Sequence, residues 1–324
     1  MIWILLAISV IAGTITSPYF LTVKNIINIL EHASILGVLV IAQSINFMSS
    51  SFDLSVESTL GFTGMLGAWL ITASGSPSYG SGFELHPILA LLVMFAVGAL
   101  IGIINGFFIT RVKMVSFVVT LSMLLILRGA AMVVNSGITV ANLPKSFIAL
   151  GFNKIGIMPV SVIVVALMFL GAHILTRYTQ FGRNVLAVGG NKEAAIASGI
   201  DAGKLVRRVY IISGLLATFA GWMYVGRIAS ANALMGSGII FEVNAAAVIG
   251  GVSLFGGRGT MAGSLGGVLL MSTITTILQL MGISAFFIEI VRGAAILFAL
   301  YIDSKKTLFE KRVSTSAITS VSKA

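Results

Sequence analysis

The chain has 324 residues, of which 57% are hydrophobic and only 9% charged. A soluble domain carries about a quarter charged residues, so a soluble globular protein is excluded. The net charge is +10, from 20 Lys and Arg against 10 Asp and Glu, but the basic residues gather in loops between apolar runs. That placement fits membrane topology and gives no reason to expect nucleic-acid binding. There is no cysteine, which excludes a disulfide framework, a thiolate metal site and a thiol nucleophile. His32, His86 and His173 are too widely separated in the chain to suggest a multi-histidine metal site.

Several apolar runs exceed 17 residues, and a bilayer core of ~30 Å takes about 20 residues per helix. The alternating ~10-residue segments of a transmembrane barrel are absent. The reading is therefore an all-α polytopic membrane protein of about ten transmembrane helices. The expected spans lie near 1–17, 33–50, 56–73, 87–110, 115–135, 159–176, 209–229, 243–255, 261–282 and 284–302. Segment 1–17 lacks a basic leader and a small-residue cleavage site, so a retained first helix is expected. The run 243–255 is short for a span and is expected to be tilted or broken.

Loop charge sets the orientation. With ten alternating spans, Arg111, Lys113, Arg177, Arg183, Lys192, Lys204, Arg207, Arg208, Arg258, Lys305, Lys306, Lys311, Arg312 and Lys323 fall on one side. Only Lys24, Lys145 and Lys154 fall in loops on the other. Basic loops stay in the cytoplasm, so both termini, the loop 177–208 and the tail 303–324 are expected there. The loop 74–86, without Lys or Arg, fits the outer face.

The spans repeat weakly. Phe52-Asp53 precedes the third span and Phe241-Glu242 the eighth, on opposite faces of the membrane. That arrangement suggests an inverted-topology repeat of spans 2–5 against 7–10. The steps Gly98/Gly102/Gly106 and Gly259/Gly263/Gly267 are spaced for close helix packing, read here as intramolecular.

Covalent chemistry has no foothold. There is no G-x-x-x-x-G-K-[ST], G-x-S-x-G or H-E-x-x-H, and the turn Gly256-Gly257-Arg258-Gly259 lacks phosphate-loop spacing. The informative residues are polar ones in or beside spans, because a charge at the bilayer centre costs ~3 kcal/mol or more unless paired or hydrated. Glu289 and Arg292, three apart, are expected to form a structural pair. Arg128 needs a partner, with Glu57 and Glu242 both available. Asp53 and Ser55 either cap the helix beginning near Val56 or border a path together with Gln43, Asn46, Glu57, Asn105, Glu242 and Asn244. The loop Gly189-Gly190-Asn191-Lys192-Glu193-Ala194-Ala195 through Ser198-Gly199-Ile200 suggests a short helix capped by Asn191 and ended by Gly199, in outline a docking element.

Taken together, Pro18-Tyr19-Phe20-Leu21 with Asn25, Asp53-Leu54-Ser55-Val56, Asn105-Gly106, Phe117-Val118-Val119-Thr120-Leu121, Arg128-Gly129, Phe181-Gly182-Arg183, Gly189-Gly190-Asn191 with Glu193-Ala194-Ala195 and Ser198-Gly199-Ile200, Gly250-Gly251-Val252-Ser253 and Gly256-Gly257-Arg258-Gly259-Thr260 resemble the permease subunit of carbohydrate ABC importers of the ribose/xylose/galactose type. The resemblance runs in order across nearly the whole chain. It implies a single permease domain over 1–324 with a vitamin-B12-permease-like fold, that of a type II ABC importer, in a bacterial inner membrane among lipid. It also implies a second permease subunit, identical or not, and a binding protein that delivers the sugar. Gly189, Gly190, Asn191, Glu193, Ala194, Ala195, Ser198, Gly199 and Ile200 would form the coupling element for a separate ATPase subunit. ATP and Mg would belong to that partner, so this chain would be neither an enzyme nor a cofactor binder. Ser50-Ser51-Phe52 stands where the family pattern has Gly-Gly-Ile, and Glu57 where it has Gly. The alternative class is an ion-gradient-driven transporter using Asp53, Glu57, Glu242 or Glu289.

Overall fold

The computed structural model describes residues 2–73, 80–284 and 286–294, with 297 and 301. Residues 74–79 of the expected outer loop, the remainder of the tenth span and the tail 303–324 lie outside the described residues. Among those described there are thirteen helices: α1 (Ile2–Thr16), α2 (Val23–Met48), α3 (Val56–Ile71), α4 (Pro87–Thr110), α5 (Ser116–Val134), α6 (Lys145–Phe152), α7 (Val160–Tyr178), α8 (Gln180–Gly190), α9 (Lys192–Ala197), α10 (Ala202–Ile228), α11 (Ile239–Ile249), α12 (Met261–Leu280) and α13 (286–294). One two-stranded hairpin, β1 (Lys154–Ile155) with β2 (Met158–Pro159), precedes α7.

Among the described residues each of the ten apolar runs overlaps a helix, and six of these (α2, α4, α5, α7, α10 and α12) are long and apolar enough to cross a bilayer. Three differences from the expected boundaries have local causes. Helix α2 starts ten residues before 33 because Thr22 accepts the Asn25 N–H and Lys24, Asn25, Asn28 and Glu31 carry its first turns in polar surroundings. Helix α10 starts at Ala202, not 209, because the Asp201 carboxylate accepts the Lys204 N–H at 2.8 Å. The run 243–255 is a helix only to Ile249, since Gly251, Gly256 and Gly257 take the left-handed conformations of the turn that follows. Helices α6 and α8 carry no apolar run long enough to signal them.

The centre of the fold is α2, whose residues 33–48 are all buried, with α7, α10, α11 and α12 packed on it and α3 held mainly against α10. Helices α4, α5 and α7 each keep an outward face. They expose Leu92, Leu100, Leu125, Val133, Leu167 and Leu170, the surface a lipid phase would cover. The packing is reciprocal: α10 packs on α3 and α4, while α2 packs on α11 and α12.

The glycine steps lie at these contacts. Any Cβ at Gly102 would sit 2.7 Å from Ile211 Cα, and Gly214 faces Gly98 across the same α4–α10 seam. Gly263 and Gly267 face Gly250 and Ala246 of the α11–α12 contact in the same way. Where lipid removes the hydrophobic drive between helices, this close backbone approach supplies the packing energy. Gly102→Val is expected to force α4 off α10, costing about 1–3 kcal/mol or more by overpacking. A lower thermal midpoint of the detergent-solubilised chain would register the effect.

Candidate functional site

Two interruptions bring the polar residues together. At the C-terminal end of α2 the chain reverses through Ser50, whose φ is +57°. Glycine reaches that conformation without strain, and serine reaches it only at a cost. Residues 51–55 then run back beside α10. Tyr210 Oη donates to the Phe52 carbonyl at 2.7 Å, and Ser213 Oγ donates to Asp53 Oδ2 at 2.6 Å. Ser213 lies about 16 Å along α10 at 1.5 Å per residue, so α3 begins near the middle of the bundle.

Asp53 is 2% exposed. Its carboxylate accepts from the Ser55 N–H and Oγ and from Ser213 Oγ. Asn105 Nδ2 donates to Ser55 Oγ at 2.9 Å, and Asn46 Nδ2 donates to Ser213 Oγ at 3.1 Å. The capping role open to Asp53 and Ser55 is therefore not taken in its simple form. Ser55 occupies the N-cap of α3 but makes no side-chain cap bond, because its hydroxyl is committed to Asp53 and Asn105.

The second interruption mirrors the first. Helix α10 ends at the left-handed Ala229, the chain passes through Gly236 and Gly238 at positive φ, and α11 starts at Ile239. Glu57, second residue of α3, accepts the Ile240 N–H of α11 at 3.2 Å, so the two short helices meet at their N-termini. Arg128 of α5 supplies the rest. Its Nη2 reaches Glu57 Oε1 at 2.9 Å, and its Nη1 donates to the Ala233 and Met235 carbonyls at 2.9 and 3.1 Å. The partner of Arg128 is thus Glu57 plus two carbonyls of the second interruption. On α11, Glu242 meets Arg292 of α13 at 2.9 Å and accepts from Thr275 Oγ1 at 3.2 Å. Arg292 also holds Glu289 at 2.8 Å. Each half-length helix therefore has a buried acid in its first turn, paired with an arginine. The residue that corresponds to Glu242 in geometry is Glu57. Asp53, which follows a Phe as Glu242 does, has hydroxyl partners instead.

Among the residues expected to border a path, Asn46, Asp53, Ser55 and Asn105 share one network, while Glu57 and Glu242 are each bound to arginine. Gln43 has both amide atoms buried without a partner, and Asn46, Asn105 and Asn244 each bury an unpartnered Oδ1. Such atoms cost about 1–3 kcal/mol each. Ser213, Thr275, His32 and the Ser44–Ser264 bond at 2.8 Å had no sequence signal, because serine, threonine and histidine at helix-buried positions look like ordinary core.

The loop 177–208 folds as α8 and α9. Asn191 Oδ1 accepts the Ala194 N–H at 3.0 Å, Gly199 has φ +85°, and the Ile200 N–H returns to the Ala195 carbonyl at 3.0 Å. Glu193, Ala194 and Ser198 face outward and Ala195 is buried. Gly189 presses on the Met48 carbonyl at the end of α2, leaving no room for a side chain, and the Gly257 N–H donates to that same carbonyl at 3.0 Å. Around this joint a cavity of about 560 Å³ is lined by Ser49–Ser51, Lys113, Gly190 and Lys192. At the opposite end of α2 a cavity of about 660 Å³ is lined by Tyr19, Lys24, Asn28, Glu31 and Lys154. The basic residues Lys24 and Lys154 are thus separated from Lys113 and Lys192 by the ~39 Å length of α2.

Over residues 25–300 the chain matches the family described as branched-chain amino acid transport system / permease component. It belongs to that family. The permease is 34% identical over 306 residues to the ribose import permease protein of Escherichia coli strain K12, covering 93% of this chain and 92% of the relative. It is 33% identical over 292 residues to the L-arabinose ABC transporter permease protein of Azospirillum brasilense, covering 90% and 83%. It is 30% identical over 302 residues to the galactose/methyl galactoside import permease protein of Escherichia coli strain K12, covering 89% of each. No solved structure matches it.

Glu57→Ala in this permease leaves a buried guanidinium without its carboxylate and the start of α11 without its acceptor. Removing one partner of a buried pair costs about 3–5 kcal/mol. The expected result is a marked loss of thermal stability after solubilisation, with Glu57→Gln less severe because its amide oxygen still accepts the Ile240 N–H.

Proposed function

We propose that this chain is the membrane permease subunit of a binding-protein-dependent ABC importer and forms the path for a monosaccharide or a related small polar solute. Its relatives are permeases for ribose, arabinose and galactose. In this reading the ten apolar helices all take part in crossing the inner membrane, in the vitamin-B12-permease-like fold of a type II importer. The crossed packing of α2 and α10 with the opposite half's short helices, and the two Glu–Arg pairs, support an inverted repeat. Both termini lie in the cytoplasm, as does the α2 C-terminal end with its cluster of lysines, in keeping with the positive-inside rule. Two permease subunits, identical or different, join two ATPase subunits and an external binding protein.

The observation that carries the proposal is the joint between Gly189, Met48 and Gly257. It ties the exposed α9, with Glu193, Ala194 and Ser198 outward, to the end of the most buried helix. Movement of α9 by an ATPase cleft would be passed to α2 through backbone contact, with no soft side chain between. ATP and Mg act on that partner, and this chain supplies the gate. The ion-gradient alternative is disfavoured by the same geometry: Glu57 and Glu242 are already bonded to arginines at 2.9 Å, and Asp53 is held by three hydroxyl and amide donors.

Glu193→Lys combined with Gly199→Pro is expected to leave expression and membrane insertion intact while copurification with the ATPase subunit falls at least tenfold. Unchanged copurification removes residues 189–200 from the coupling role. Uptake by vesicles that needs no ATPase and stops with an uncoupler moves the chain to the ion-driven class.

A further inference from the structure

A third cavity, of about 200 Å³, lies between α2, α10, the 229–238 interruption, α11 and α13. Its polar lining is His32, Tyr224, Arg227, Ser237, Glu242 and Arg292. Three features distinguish it from ordinary helix packing. The Arg292 Nε is buried and has no acceptor, although the two terminal nitrogens of the same guanidinium hold Glu242 and Glu289. His32 Nε2 and Glu242 Oε2 stand 3.9 Å apart, beyond hydrogen-bond reach and at a separation that one hydroxyl oxygen can bridge. His32 Nδ1 is fixed by Ser272 Oγ at 3.3 Å, so the ring presents its other nitrogen to the cavity.

The charges nearly cancel. Arg292 faces Glu242 and Glu289, and Arg227 faces Glu31 at 3.7 Å. An anion would meet Glu242 and a cation would meet Arg292. A neutral molecule rich in hydroxyls meets both favourably, since a hydroxyl donates to the carboxylate and accepts from the guanidinium or imidazole. The cavity is too small for an oligosaccharide.

We infer that this cavity is a contact site for a single neutral sugar on the outer half of the path, with Glu242 accepting from a sugar hydroxyl, Arg292 Nε donating to one, and His32 sharing the hydroxyl that bridges to Glu242. This rests on the reading of the chain as a sugar permease. The site abuts the start of α11, two residues from the Ile240 N–H that Glu57 holds, so an occupant would touch the interruption that the Glu57–Arg128 pair secures.

The test uses the full importer, permease with its ATPase and binding protein, in proteoliposomes. ATP-driven uptake of radiolabelled D-ribose, L-arabinose and D-galactose is measured beside ATP hydrolysis for the wild type, His32→Leu and Glu242→Gln. Loss of one hydrogen bond to the sugar is expected to lower sugar moved per ATP hydrolysed about tenfold for the sugar that the wild type carries. Hydrolysis stimulated by the loaded binding protein should persist. A purely structural role would lower uptake and hydrolysis together and leave the ratio unchanged, and that result overturns the site, as does a wild-type ratio in both variants, which would mean the cavity holds water only. His32→Leu decides the matter if Glu242→Gln fails to assemble, because His32 is partly exposed and pairs weakly. Absence of uptake of all three sugars by the wild type overturns the sugar reading itself, and the site with it.

Discussion

A helix that begins inside a bilayer leaves its first N–H groups without partners, and lipid offers none. This permease begins two helices, α3 and α11, in the buried interior of the fold among its apolar helices. The structure resolves the difficulty by crossing the two problems: the Glu57 carboxylate at the start of α3 accepts an N–H at the start of α11, and Arg128 collects the free carbonyls of the segment leading into it. Each group that would be costly alone satisfies another. A buried ion pair is not in itself a source of stability, because desolvation offsets most of its attraction. Here it acts through the backbone groups it satisfies as well as through its charges.

The same arrangement gives a mechanical route from one end of α2 to the middle of the fold. Gly189 and Gly257 grip the Met48 carbonyl. Five residues later Asp53 is fastened to α10, and four after that Glu57 is fastened to α11. Each step is a backbone contact or a short hydrogen bond, so a displacement of α9 has few places to dissipate. The route names the joints at which coupling would have to pass: the glycine joint, the Asp53–Ser213 bond and the Glu57–Arg128 pair.

Much of this was legible in the amino-acid order. Hydropathy located every apolar helix, since 20-residue runs and glycine steps are local signals, and Asn191 and Gly199 marked the ends of α9 by ordinary capping chemistry. The i, i+3 spacing of Glu289 and Arg292 was equally local. Long-range choices were not legible. Nothing near Arg128 in the chain distinguishes Glu57 from Glu242 as its partner, because the choice is made by the packing of α3 on α5. Glu242 looked like the counterpart of Asp53 through the Phe that precedes each, yet in space it behaves as the counterpart of Glu57. Asp53 was readable as a cap, but its carboxylate turned to Ser213, a residue 160 positions away. Helix α8 was missed because its polar face and short length resemble a loop in composition.

On the proposed coupling, residues 189–200 and the start of α11 move as one system. Because the chain has no cysteine, Ser237→Cys places a unique thiol at an exposed position just before α11. Its rate of modification by a membrane-impermeant maleimide is to be compared in the assembled importer with ATP trapped on the ATPase and without nucleotide. The account predicts a clear change in rate between the two states that disappears when residues 189–200 are uncoupled from the ATPase. Equal rates in both states would contradict it.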